Sequence, residues 1–225
     1  MNRRGAERLR LRAVLLTIVI NISAVIIFAS VSWSDWQTGL YLSIVDNLIL
    51  IVFVLYQKDR MMAHLLIFGI VLGFVELAAD AWLVDFTGTL DYSVGGGPMV
   101  WRSPLWMPLA WQIVAVQFGY LGMRLRERLK LKGLLLTGLI GTLNIPFYEE
   151  MALRTNWWMY RDCKMFLHTP YYIIFGEFLI VLCIASLAKN VRQEHFPKTI
   201  AAGVLGGAVI FFSYAVSFWI FERIL

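Results

Sequence analysis

Residues 144–177 read NIPFYEEMALRTNWWMYRDCKMFLHTPYYIIFGE. An apolar segment closes in Asn144, Pro146 and the pair Glu149 and Glu150. A connector rich in rings follows, with Trp157, Trp158 and Tyr160. Thr169 and Pro170 then open a second apolar segment carrying Tyr171, Tyr172 and Glu177. Carboxylates in or beside hydrocarbon are costly, and by default they mark function. The rest of the chain reads as the scaffold that holds this cluster.

Working outward, the 225 residues are 60% hydrophobic and only 16% charged, with a mean hydropathy of +0.70. Soluble domains lie nearer half apolar and a quarter charged. The excess falls in blocks of roughly twenty residues, the length that crosses about 30 Å of hydrocarbon. Seven spans are expected, near 13–32, 38–57, 61–84, 104–123, 131–150, 169–188 and 199–221. The sequence therefore predicts an all-α integral membrane protein of the cell membrane. It forms a single domain over 1–225, a bundle of seven transmembrane helices. The first span belongs to this regular series and lacks a small-residue cleavage site, so it does not read as a signal peptide.

Charge placement sets the expected orientation. Arg3, Arg4, Arg8, Arg10, Arg12, Lys58, Arg60, Arg124, Arg126, Arg128, Lys130, Lys132, Lys189, Arg192 and Lys198 fall on one side of the spans, 15 of the 20 Lys and Arg. The positive-inside rule then puts the N-terminus in the cytoplasm and the C-terminus outside. The net charge of +5 reflects this placement and gives no reason to expect nucleic acid. Cys163 and Cys183 stand roughly 20 Å apart along a helix if Thr169 opens the sixth span, too far for a disulfide. His64, His168 and His195 are scattered, so neither a metal nor another cofactor is expected.

Four more acidic and polar positions lie within the spans. Asp46 beside Asn47 is in the second, and Glu76 with Asp80 is on one face of the third, four residues apart. All of these, with Glu177, fall in the half of the bundle remote from the basic clusters. Two like charges in low dielectric cannot both ionise easily, so one of Glu76 and Asp80 should keep its proton beside an acceptor. Glu149 and Glu150 point about 100° apart on a helix; one is expected to face inward and the other to pair with Arg154. Spans three and four also echo spans five and six. Glu76, Tyr92, Ser103-Pro104, Trp106 and Gln112 answer Glu149, Tyr160, Thr169-Pro170, Tyr172 and Glu177. The nineteen residues between spans three and four read as a long outer loop, with Pro104 opening the fourth helix and Pro108 bending it.

Acids and rings in an oily, shaded pocket suit proton-initiated rearrangement of an isoprenoid. A carboxylic acid protonates an alkene or epoxide, ring faces stabilise the cation, and a carboxylate removes a proton at the end. A membrane cavity keeps water from the cation. On this reading Glu76, partnered by Asp80, is the protonating acid, and Glu149 and Glu177 are the candidate second acid or terminal base. Asp46, Trp106, Trp111, Trp158, Tyr160, Tyr171 and Tyr172 would contact the substrate.

The arrangement resembles the small seven-span membrane terpene cyclases of fungal and bacterial meroterpenoid pathways. Phe74-Val75-Glu76 is similar to their acid-bearing helix, with Val75 where an aromatic is expected, and the later acid corresponds to Glu177 or Glu149. A second resemblance is to membrane carotenoid hydratases and small lycopene cyclases. It lies in Pro146-Phe147-Tyr148-Glu149-Glu150, Trp158-Met159-Tyr160 and Pro104-Leu105-Trp106-Met107-Pro108. Both families add a proton to an isoprenoid double bond, which implies a cyclase (isomerase or lyase class) with a lipophilic isoprenoid substrate, or a hydratase. The competing class is non-enzymatic: a proton-linked transporter or a seven-helix sensor. Transport would favour polar groups continuing through the inner half, and a retinal-type sensor would need a lysine within the seventh span.

Overall fold

The architecture was determined as a computed structural model that describes residues 3–191 and 195–225. It has seven long helices: α1 (Arg3–Phe28), α2 (Trp36–Gln57), α3 (Arg60–Ala81), α4 (Met107–Leu129), α5 (Leu131–Arg154), α6 (Tyr171–Val191) and α7 (Phe196–Phe218). Six of them are long and apolar enough to cross a membrane, and the protein is accordingly a membrane protein. The exception is α4, which carries Gln112 and Gln117 and ends in a run of arginines. It lies in the middle of the bundle, packed on α3, α5 and α6 and flanked by α2 and α1.

Its polar side chains serve the packing. Gln112 Nε2 donates to the Leu66 carbonyl of α3 at 2.9 Å, and Asn47 Nδ2 of α2 donates to the Leu109 carbonyl at 3.0 Å. These bonds satisfy backbone groups that hydrocarbon could not. α3 and α4 are in close contact at Gly73, where an added Cβ would strike the Pro108 backbone. Small residues do the same between α3 and α7: a Cβ on Gly203 would lie 2.8 Å from that of Val71.

The basic end is held by short turns. Asp59 caps α3 by accepting from the Met62 N–H at 3.0 Å and pairs with Arg10 of α1 at 2.6 Å. Arg124 of α4 reaches Glu7 at 3.2 Å. Arg192, one of the cations assigned to this end, lies outside the described residues. Both cysteines are free.

The opposite end departs from expectation. The connectors are ordered ribbons, not a long loop. After α3, a π-helical turn (Trp82–Thr87) ends at Gly88, whose φ of 68° lies in the left-handed region. There follow β1 (Leu90–Asp91) and the hairpin β2 (Met99–Val100) with β3 (Ser103–Pro104). After α5 come β4 (Met159–Tyr160) and the hairpin β5 (Met165–Phe166) with β6 (Thr169–Pro170). β1 pairs antiparallel with β4, Leu90 opposite Tyr160. The two hairpins match in register and in the left-handed residue of their turns, Trp101 in one and Leu167 in the other. The two connectors thus repeat in the backbone, with the residue matches shifted. Asp80 stands at the same remove from Leu90 as Glu149 from Met159, so the counterpart of Glu149 is Asp80, not Glu76. The prolines are reassigned too. Pro104 ends a strand, and Pro108 sits in the first turn of α4, where no intrahelical N–H is lost.

Candidate functional site

A cavity of about 170 Å³ opens in the ribbon-bearing half of the bundle; one water needs roughly 10–15 Å³ on this measure. Its wall brings together Asp46, Asp80, Glu149 and Glu177 from four helices, with Trp106, Trp111, Trp157, Trp158, Tyr92, Tyr160 and Tyr214 among its rings. None of the described lining residues is Lys, Arg or His. An anion entering here would meet no counter-charge.

The acids share a pattern. Asp80 Oδ2 accepts from the Tyr92 hydroxyl at 2.6 Å and from Ser103 Oγ at 2.8 Å. Glu149 Oε2 accepts from Trp158 Nε1 at 2.6 Å. Glu177 Oε1 accepts from the Tyr214 hydroxyl at 2.6 Å, and Asp46 Oδ2 from Asn21 Nδ2 at 3.0 Å. Each carboxyl is therefore anchored through one oxygen by neutral donors. Tyr160 also approaches Glu149 and Glu76 approaches Asp80, while the second oxygen of Asp46 is buried without a partner.

The fold explains the anchors. β1 carries the chain back over α3 so that Tyr92 hangs above Asp80, and the β2–β3 hairpin returns Ser103 to the same oxygen. Burial, then the charge of Asp80, pushes the Tyr92 phenol well above its ordinary range, so it remains a donor. Gly176 lets the Tyr214 ring press against α6; a Cβ there would lie 2.7 Å from the ring. Trp106, Trp157 and Trp158 form a triad with centroids 5.5–6.1 Å apart. Tyr92 meets Trp158 edge-on at 6.2 Å. This continuous ring wall faces the acids.

Three expected site residues lie elsewhere. Glu76 is fully buried and does not line the cavity. Asp80 and Trp111 approach its carboxyl, yet neither of its oxygens has a hydrogen-bond partner. The four-residue spacing put both acids on one face, but α4 brings Trp111 across the deeper one. Tyr172 is buried behind the wall, its hydroxyl 2.7 Å from Thr89 Oγ1. Tyr171 is 41% exposed at the rim, stacked on Phe221. Because α6 starts directly after β6, its first two residues point to the rim and to the core instead of into the cavity.

Glu150 turns outward and pairs with Arg154 at 2.7 Å and with His168. Sequence reasoning missed Tyr92, Ser103, Tyr214 and Asn21 as site residues. Each lies far along the chain from its partner, and only the ribbons or the packing of α1 and α7 bring them in. The intramembrane Asn21 was the visible signal among them. Among the described residues, no group of His, Cys, Asp and Glu is arranged to hold a metal ion.

No protein of curated function and no solved structure matches the chain. A family model described as a domain of unknown function, DUF6989, matches residues 77–221. That range takes in the ribbons, Asp80, Glu149 and Glu177 and covers more than half of the chain, which therefore belongs to the DUF6989 family.

Proposed function

We propose that this protein is a membrane enzyme that protonates a carbon–carbon double bond, or an epoxide, of a lipophilic isoprenoid and cyclises it. The observation that carries the reading is the cavity itself. Three carboxyls from α3, α5 and α6, each anchored through one oxygen by neutral donors, face a wall of four rings in a space with no cation among its described lining residues.

Asp80 replaces Glu76 as the protonating acid, because Asp80 lines the cavity and Glu76 does not. Its O–H adds the proton to one alkene carbon, and the π electrons form the new C–H bond. The cation left on the neighbouring carbon is closed by the next double bond. The two hydroxyls on Oδ2 stabilise the carboxylate that remains. Trp158, Trp106 and Tyr92 turn ring faces or edges toward the cavity, and ring faces stabilise a cation by about 2 kcal/mol or more where water is excluded. Glu149 or Glu177 takes the final proton as the last double bond forms. Glu76 acts through Asp80 as a positioning group and proton partner.

The same reading places all seven long helices across the cell membrane, N-terminus in the cytoplasm and C-terminus outside. At 23 residues, α4 is about 34 Å long, and its central position leaves it little lipid contact despite its glutamines. The basic ends of the helices then face the cytoplasm.

The test is incubation of membranes containing the protein with farnesylated and geranylgeranylated acceptors, plain and epoxidised. Cyclic product is expected from wild type, and loss of at least a hundredfold from Asp80→Asn with expression unchanged. Equal turnover by that variant removes Asp80 from the mechanism. Passage of protons across vesicles without product would favour a transporter.

A further inference from the structure

The cavity has two polar regions, and only one is explained by proton transfer. Glu76, Asp80, Glu149 and Glu177 form one group whose charges act on one another. Asp46 stands apart from them on α2, with Asn21 as its hydrogen-bond partner. It is fully buried on α2 and is held by Asn21 of α1 at 3.0 Å. Both residues line the cavity, with Asn144 and Tyr148 of α5 at the same end. α2 and α5 both contribute to this end yet barely touch each other.

The bond between Asn21 and Asp46 leaves two oxygens over. Asp46 Oδ1 and Asn21 Oδ1 are both buried without a hydrogen-bond partner. Buried unpartnered acceptors are expensive, and more so where the surroundings are apolar. Asn47 Oδ1 is a further buried acceptor without a partner, and two nearby amide donors are engaged elsewhere. Asn47 Nδ2 is committed to the Ser43 and Leu109 carbonyls, and Gln117 Nε2 to Thr17. The amide oxygen of Asn21 accepts whatever the protonation of Asp46. What fits is a group that donates hydrogen bonds and carries no negative charge, since no cation is among the described residues that line the cavity.

We propose that Asn21 and Asp46 form a specificity subsite that binds a hydroxyl or ring N–H at the polar end of the isoprenoid. The chain of the ligand then lies toward Asp80, Glu149 and Glu177. This rests on the isoprenoid reading above, and it favours a ligand with a donor-bearing end over a pure hydrocarbon or a phosphate ester. Asn21 and Asp46 are positioning residues in it: they fix which carbon of the chain reaches Asp80.

The test is binding of a farnesylated phenol and of its O-methyl ether to the purified full-length protein in lipid nanodiscs, read by quenching of tryptophan fluorescence. The phenol is expected to bind roughly tenfold more tightly than the ether, the worth of one hydrogen bond. Asn21→Leu should bring the two within about twofold, while Phe212→Leu, exposed on α7 and away from the cavity wall, should leave the ratio unchanged. The inference is overturned if the ether binds wild type as tightly as the phenol, if Asn21→Leu keeps the full preference, or if neither ligand binds. The wild-type comparison stands even if the variant fails to fold. Turnover is scored separately: a phenol bound with this preference and recovered unchanged keeps the subsite and refutes the cyclase.

Discussion

Replacing Tyr92 by Phe removes one hydroxyl and little else. The ring keeps its edge contact with Trp158 at 6.2 Å, while Asp80 Oδ2 loses a donor at 2.6 Å and retains Ser103 at 2.8 Å. Both Tyr92 and Asp80 are buried, so bulk solvent does not reach the hydroxyl's place. A hydrogen bond to a carboxyl group in such surroundings contributes about 1.5–3 kcal/mol. For 225 residues the unfolding entropy near Tm is about 0.5 kcal/mol/K on the globular scale, so Tm should fall by about 3–6 °C. Ser103→Ala removes the other donor from the same oxygen. The double variant leaves that oxygen bare and should lose more than the two single variants together. Scanning fluorimetry of the purified proteins in one detergent reads all three. In a cyclisation assay Tyr92→Phe should lower kcat roughly ten- to hundredfold with KM little changed, because the lost bond stabilises the acid's conjugate base and does not touch substrate. A Tm within about 1 °C of wild type, with strictly additive behaviour, would refute the assignment of Tyr92 as an anchor of Asp80.

Gly73→Ala forces a Cβ into the Pro108 backbone. Overpacking of about 1–3 kcal/mol outweighs the roughly 1 kcal/mol gained in helix propensity, so Tm should drop; a rise would show that α3 and α4 are less tightly joined than described. Asp91 supplies a pH dependence. Ser93, through its hydroxyl and its N–H at 2.8 Å, and then Arg161 at 3.1 Å hold its carboxyl below the usual carboxylate range. A depressed carboxyl stabilises the fold above its unfolded pKa of about 3.9, and the effect is lost as pH falls through the folded value. The Tm gap between wild type and Asp91→Asn should therefore be present at neutral pH and vanish in strong acid; a gap that persists there contradicts the pairing. For orientation, with Cys163 and Cys183 replaced by Ser, Ser93→Cys should react with an impermeant maleimide on intact cells, and Lys132→Cys only after lysis; the reverse pattern inverts the topology.

Hydropathy made the helices legible because spans declare themselves by length, and the run of arginines after Gly122 did not hide α4 from a reading that followed turns and charges. The acids were legible for the same reason: Asp46, Asp80, Glu149 and Glu177 are conspicuous against hydrocarbon. The strands were not, since two-residue ribbons are too short to show alternation. With them went the anchoring of Asp80 by Tyr92 and Ser103. Helical spacing alone could not rank Glu76 against Asp80, because the difference is made by Trp111 on another helix. Tyr171 and Tyr172 looked equivalent to the other rings until the start of α6 set which way each points. Asn21 is an amide in the first span, and only its contact with Asp46 gives it a place in the site.

The most direct test of the central claim is the reaction run in deuterium oxide with a farnesylated acceptor lacking an epoxide, followed by mass analysis of the product. Protonation of an alkene by a cavity carboxyl predicts a cyclic product carrying one non-exchangeable deuterium, formed by wild type and not by Asp80→Asn. A cyclic product without deuterium, or the same labelled product from both proteins, would contradict it.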